Sequence, residues 1–142
     1  MRRAATPRRT TTSASRAAAT GDRTIKPGDP ILVVKPKWCK LLLDGHKCLE
    51  IRSTTCKKKR GTRVWLSASG TGTVCGYVTF VESIELDQSA WEARADEHLV
   101  LSPTSLYKKT HGWRFKKPVR IADVPYAVKK GTVIWRKFEP LP

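Results

Sequence analysis

The sequence predicts an α+β protein with one domain of about five to six strands and two or three short helices, preceded by a disordered basic tail. Three observations carry this. Short runs of β-branched and aromatic residues recur from Ile31 to Trp135, and several alternate in polarity as half-buried strands do. Two stretches, 36–45 and 87–98, instead place large apolar residues at helical intervals. The first 26 residues are dominated by Arg, Ala, Thr and Ser, with no acidic residue before Asp22. Such a segment buries too little apolar surface to offset its ordering entropy.

A chain of 142 residues has room for one domain. We place the tail at 1–29 and the domain at 30–142, because Pro27-Gly28-Asp29-Pro30 is a turn cluster. Ile31-Leu32-Val33-Val34-Lys35 then reads as a buried strand, stopped by Pro36, a residue suited to the first turn of a helix. Trp38, Leu41 and Leu42 mark that helix's apolar face, and Gly45 supplies its stop. Beyond the basic turn Cys56–Gly61, residues Thr62–Ser69 alternate, with Val64, Leu66 and Ala68 against Arg63, Trp65 and Ser67. Gly70-Thr71-Gly72 suits a tight hairpin, leading into a long strand over Val74–Ile84 with a bulge or close backbone approach at Gly76.

Residues 87–98 read as a helix with Trp91 and Ala95 facing inwards. Its acidic residues Asp87, Glu92, Asp96 and Glu97 make it a poor nucleic-acid surface. Leu99–His111, with Pro103, is a loop, and His98 and His111 are structural or exposed rather than catalytic. Strand segments follow at Gly112–Phe115, Pro118–Ile121 and Val124–Tyr126, then a closing strand at Gly131–Trp135.

The formal net charge is +16, and it is not confined to the tail: residues 27–142 hold 21 Lys/Arg against 11 Asp/Glu. A polyanionic partner or acidic surface follows from such a balance. No stretch approaches the roughly 20 apolar residues of a membrane span. The four cysteines show no CxxC pair and no His at zinc-finger spacing, so no metal and no cofactor is expected. At this size the core needs no disulfide, and reduced thiols fit an intracellular protein of nucleus or cytoplasm. The Arg/Ser-rich N-terminus fits three roles equally: a mitochondrial transit peptide, an arm along a phosphate backbone, and an inert tail.

One stretch organises the rest: Gly45-His46-Lys47-Cys48-Leu49-Glu50-Ile51-Arg52. In a strand the side-chain period is two, so Glu50 and Arg52 share a face. Lys47 sits at the strand's mouth, where the helix exit turns it towards the same cleft. A Lys, a Glu and an Arg at a helix–strand junction point to a polar, anionic ligand. The plain alternative is an ion pair bracing the sheet.

The spacing Gly-x-Lys-x-x-Glu-x-Arg resembles the signature of the ASCH domain, a PUA-like family linked to RNA. Gly45, Lys47, Glu50 and Arg52 occupy its four fixed positions. Gly72–Phe80 resembles the family's central strand. Gly112-Trp113-Arg114-Phe115, Val124-Pro125-Tyr126 and Gly131–Trp135 resemble its C-terminal half, so the likeness spans roughly residues 31–138. It implies a small PUA-like β-barrel with a cleft beside the first helix, and binding of single-stranded or modified RNA there.

Physically, Arg52 suits a bidentate contact to phosphate or a base edge, Glu50 accepts from an exocyclic amine or steadies Arg52, and Lys47 is a flexible charge. Trp38, Trp113, Ser67 and Ser69 are the candidate walls and rim, although Trp38 reads first as a core anchor. Lys57, Lys58, Lys59 and Arg60 are either a solvated loop or a phosphate-contacting patch. The expected partner is RNA, single-stranded or structured, with DNA or a ribonucleoprotein as further partners and a monomeric chain.

Two alternatives stand beside a reader of RNA. One is a small hydrolase, a ribonuclease or acetylated-nucleoside amidohydrolase, with Lys47 and Glu50 as catalytic groups. The family's amidohydrolase branch uses the motif Lys, a Thr three residues later and a downstream Glu. This sequence has Glu50 at the Thr position, and Glu82, Glu92 and Glu97 compete for the last role. The other is a basic accessory subunit packed on structural RNA.

Overall fold

The computed structural model describes residues 24–105, 107–129, 131 and 133–142. The tail readings for residues 1–23 therefore lie outside the described residues. Among the described residues six strands form one mixed sheet: β1 Pro30–Val34, β2 Leu49–Arg52, β3 Arg63–Ala68, β4 Thr73–Leu86, β5 Thr110–Pro125 and β6 Trp135–Lys137. Three short helices accompany them: α1 Pro36–Asp44, α2 Gln88–Ala93 and α3 Ala95–His98.

The sheet order is β2-β5-β4-β3-β1-β6. Among the described residues only the β1–β3 pair is parallel, because α1, β2 and the basic turn separate those strands and carry the chain back across the sheet. The other neighbours are antiparallel. Among the described residues no ladder joins β2 to β6, so the barrel-like sheet is not closed by backbone pairing. Side chains cross that seam instead. The Trp113 ring on β5 stacks on Trp135 of β6 with centroids 5.8 Å apart, and Arg52 of β2 donates to the carbonyl oxygen of Val33 on β1 at 3.1 Å.

Strand β4 is the spine, paired to β3 along one edge and to β5 along most of its length. Register shifts between Val74 and Gly76, Tyr77 and Thr79, and Phe80 and Glu82 coil it. Gly76 is the close approach that the sequence predicts: a Cβ there would lie 2.5 Å from the Val119 carbonyl oxygen and 2.7 Å from a Leu43 methyl carbon. Helix α1 packs on the sheet at this point, burying Cys39, Leu42 and Leu43.

Several expectations are corrected in detail. The segments 112–115 and 118–121 and the first two residues of 124–126 belong to one 16-residue strand that ends at Pro125, bent where Lys117 takes a positive φ of 53°. The helix at 87–98 is two, broken at Arg94, whose ψ of 23° and φ of −111° end the first. Because of that break Ala95 is exposed, and His98 takes the inner place beside Trp91. The closing strand begins only at Trp135. The chain enters the core before Pro30: Ile25 is buried with Tyr126 and Phe138 in a second apolar cluster.

Candidate functional site

The site begins at the end of α1. Gly45 takes the left-handed conformation at φ 84°, a cost to any residue with a Cβ, and turns the chain back over its own helix. The amides of His46 and Lys47 both reach the Leu41 carbonyl at 3.1 Å, and Cys48 donates to the Glu97 carbonyl. Lys47 is thus fixed by backbone before β2 starts at Leu49. Strict alternation would send it to the face opposite Glu50, but the helix exit decides its direction instead.

The Lys47 side chain is almost wholly buried. Its ammonium donates to the carbonyl oxygen of His98, stands 3.8 Å from Glu50 Oε1 and lies 4.3 Å from the centre of the Trp38 ring. Burial pulls its pKa down from 10.5 to about 8, a fall that Glu50 partly resists. His98 is fixed as well. Its Nε2 lies 2.9 Å from the Trp91 carbonyl, its Nδ1 accepts from the Val100 amide, and its ring stacks on Trp91. Burial lowers the His98 pKa and favours the neutral ring. The histidine is a strut that aims its own carbonyl at Lys47.

Glu50 uses its other oxygen for Arg52, which donates from Nε at 3.2 Å and from Nη2 at 3.0 Å. The same Nη2 reaches Val33, and the Trp113 ring lies beneath the guanidinium at 5.6 Å. Three fixed contacts hold the planar fork, while Nη1 makes no hydrogen bond to the described residues. Glu50 is only 4% exposed and is bracketed by two cations, so its charge is spent on positioning them.

These groups face a cavity of about 420 Å³, within the range of small-ligand sites. Trp38 and Tyr107 give it aromatic surface, and Val33, Ile51, Val100 and Ile134 give it apolar surface. Ser69 and Lys35 add a hydroxyl and a further cation to its lining. The structure therefore brings together Lys47, Glu50, Arg52, Trp38 and Ser69. Ser67 is elsewhere: it is buried and accepts a hydrogen bond from the Tyr126 hydroxyl at 3.0 Å. Trp113 does not line the cavity but supports Arg52 from below, its Nε1 donating to Thr54 at 2.8 Å. Lys57, Lys58, Lys59 and Arg60 form an exposed turn outside the cavity, with Lys58 4.8 Å from the Trp135 ring.

Tyr107, Val100 and Ile134 are lining residues that sequence reasoning misses. They come from loops and a strand approach with no periodic signal; the one local hint is Tyr107 standing beside Lys108 and Lys109. Among the described residues no group of three or more His, Cys, Asp or Glu could hold a metal ion, and no helix is long and apolar enough to cross a membrane.

No family model and no curated protein matches the sequence. Solved structures do match the fold. The ASCH protein from Zymomonas mobilis aligns with a TM-score of 0.60 at 16% identity, over 68% of this chain and 72% of its own. A Ser-to-Ala variant of that protein aligns with a TM-score of 0.62 at 14% identity, over 80% and 92%. The chain has the ASCH-domain fold. A Tyr-to-Phe variant from the same organism agrees, at 0.60 and 16% identity over 68% and 74%. Within this ASCH fold the Gly45, Lys47, Glu50, Arg52 spacing gains its geometric sense. The glycine ends the helix, the glutamate sits between the two cations, and all three charged groups meet one cavity.

Proposed function

We propose that this ASCH-fold protein is an RNA-binding module whose cavity takes one unstacked nucleotide of a single-stranded or modified RNA. The observation that carries the reading is the state of Arg52. Its fork is locked by Glu50, Val33 and Trp113, yet Nη1 bonds none of the described residues, and Arg52 lines an apolar cavity walled by Trp38. Single-stranded RNA is read by stacking a splayed base on an aromatic ring and bonding its edge, which asks for that combination. Lys47 adds positive charge from behind, and Ser69 adds a hydroxyl to the lining. The exposed Lys57–Arg60 turn supplies a track for the flanking phosphates, in a chain of net charge +16.

Catalysis has weaker support. Glu50 is almost wholly buried and paired with both cations, and it replaces the hydroxyl expected of an amidohydrolase. The accessory-subunit reading makes no use of a cavity whose polar groups are so closely arranged.

The test is binding of short single-stranded RNA pools, followed by fluorescence anisotropy across a salt series, for the full chain and for Arg52→Lys. The substitution keeps the charge and loses the planar fork. Selectivity among RNA sequences or modifications is expected to collapse in the variant while the salt slope stays the same. Equal selectivity in both proteins would overturn the proposal, and RNA cleavage or nucleoside turnover by the unaltered chain would favour the hydrolase.

A further inference from the structure

We propose that Cys39 and Cys75 form a redox-active dithiol that closes to a disulfide on meeting a low-molecular-weight disulfide, clamping helix α1 to strand β4. Their sulfurs lie 3.4 Å apart, although the two residues are 36 positions apart in the chain and the core does not require two thiols to face each other. Closing to the ~2.0 Å of a disulfide is a small movement at the end of two short side chains. Both residues line a surface groove of about 560 Å³ that shares no lining residue with the Trp38 cavity. Cys75 is the half-buried, accessible member and Cys39 the buried one.

The two thiols also perturb each other. The Cys39 thiol beside it draws Cys75 down to about 7, with Arg120 helping and burial and Asp123 opposing. Cys39 is pushed up by Cys75 and by burial. Cys75, the thiol that solvent reaches, is the attacking thiolate. Lys40 and Arg120, both bonded to Asp44, stand at the groove and attract an anionic oxidant such as oxidised glutathione. The other two cysteines lack this arrangement, and burial raises the pKa of both Cys48 and Cys56.

The chemistry balances. The Cys75 thiolate attacks one sulfur of the small disulfide, breaking its S–S bond and expelling one thiolate. Cys39 then gives up its proton and attacks the Cys75 sulfur of the mixed disulfide, expelling the second thiol. The protein loses two electrons and two protons, and one small disulfide becomes two thiols. Cys39 directly follows Trp38, so the new bond holds the helix that carries the cavity wall. The dithiol is independent of RNA binding, and its test needs no RNA.

The folded full chain is incubated with oxidised glutathione, its remaining thiols are alkylated, and it is mapped by peptide mass spectrometry. A Cys39–Cys75 linked peptide is expected, with Cys48 and Cys56 alkylated, together with a rise in Tm of several degrees. In Cys39→Ser the reaction should stop with one glutathione on Cys75. In Cys75→Ser, Cys39 should take up none. Alkylation of both Cys39 and Cys75 after oxidation of the folded protein, or glutathione retained on Cys75 of the unaltered chain, would overturn the proposal.

Discussion

Replacing Lys47 by Met should remove a pH dependence of stability that the unaltered protein carries. The Lys47 pKa falls from 10.5 in the unfolded chain to about 8 in the fold, because burial penalises the ammonium. Between those values the unfolded chain holds the proton that the folded chain has released. It therefore binds more protons, and stability from this group rises with pH. Each tenfold difference in proton affinity between the two states is worth about 1.4 kcal/mol, so the full gain is roughly 3 kcal/mol, of which about 2 kcal/mol is present by about pH 9.5. Below about pH 8 the ammonium is charged in both states and the folded form bears the whole penalty. Urea unfolding followed by tryptophan fluorescence, at neutral pH and at about pH 9.5, measures this for both proteins. Groups common to the two cancel in the difference. The stability of the unaltered protein relative to Lys47→Met should grow by about 2 kcal/mol over that interval. A difference flat to within about 0.5 kcal/mol would refute the reasoning, since Lys47 would then titrate as an ordinary exposed lysine.

Glu50→Ala leaves Lys47 and Arg52 without their shared anion and should cost about 3–5 kcal/mol by the same urea assay, as breaking a buried pair does. Gly76→Ala forces a Cβ against the Val119 carbonyl and should cost about 1–3 kcal/mol, with hydrogen exchange rising along β4 and β5. Trp38→Ala should weaken RNA binding by about 1–3 kcal/mol if a base stacks there, an effect that anisotropy titration resolves. Replacing Lys57, Lys58, Lys59 and Arg60 together by Ala should flatten the salt dependence of binding by up to about 3 in log–log slope and leave sequence selectivity intact.

What can be read from the sequence follows from how local each cause is. Pro36 and Gly45 bound a helix by their own backbone chemistry, so α1 lies open to sequence reasoning almost residue for residue. Glu50 and Arg52 share a face because period two holds within β2. Lys47 reaches the cleft for a reason outside the strand pattern, the turn at Gly45, and the structure supplies its mechanism in the Leu41 carbonyl. Where both faces of a strand are buried, alternation stops being informative. Strand β3 is buried at Val64, Trp65, Leu66 and Ser67 in succession, so nothing local assigns Ser67 a side. Trp113 carries the same ambiguity on β5. The cavity walls from Tyr107, Val100 and Ile134 depend on distant segments meeting, which no window of the sequence contains. The break at Arg94 is hidden because helix-forming residues run through it, and only the fit of His98 under Trp91 and over Lys47 selects two short helices.

The most direct measurement of nucleotide binding in the cavity is to crosslink RNA to the full chain with ultraviolet light and map the modified peptides. Nucleotide adducts are expected on Trp38 or Tyr107, and they should be lost in the Lys47→Ala/Arg52→Ala double variant when that variant is shown to be folded. Adducts confined to the basic turn at 57–60 or to the N-terminal segment, and unchanged in the double variant, would contradict it.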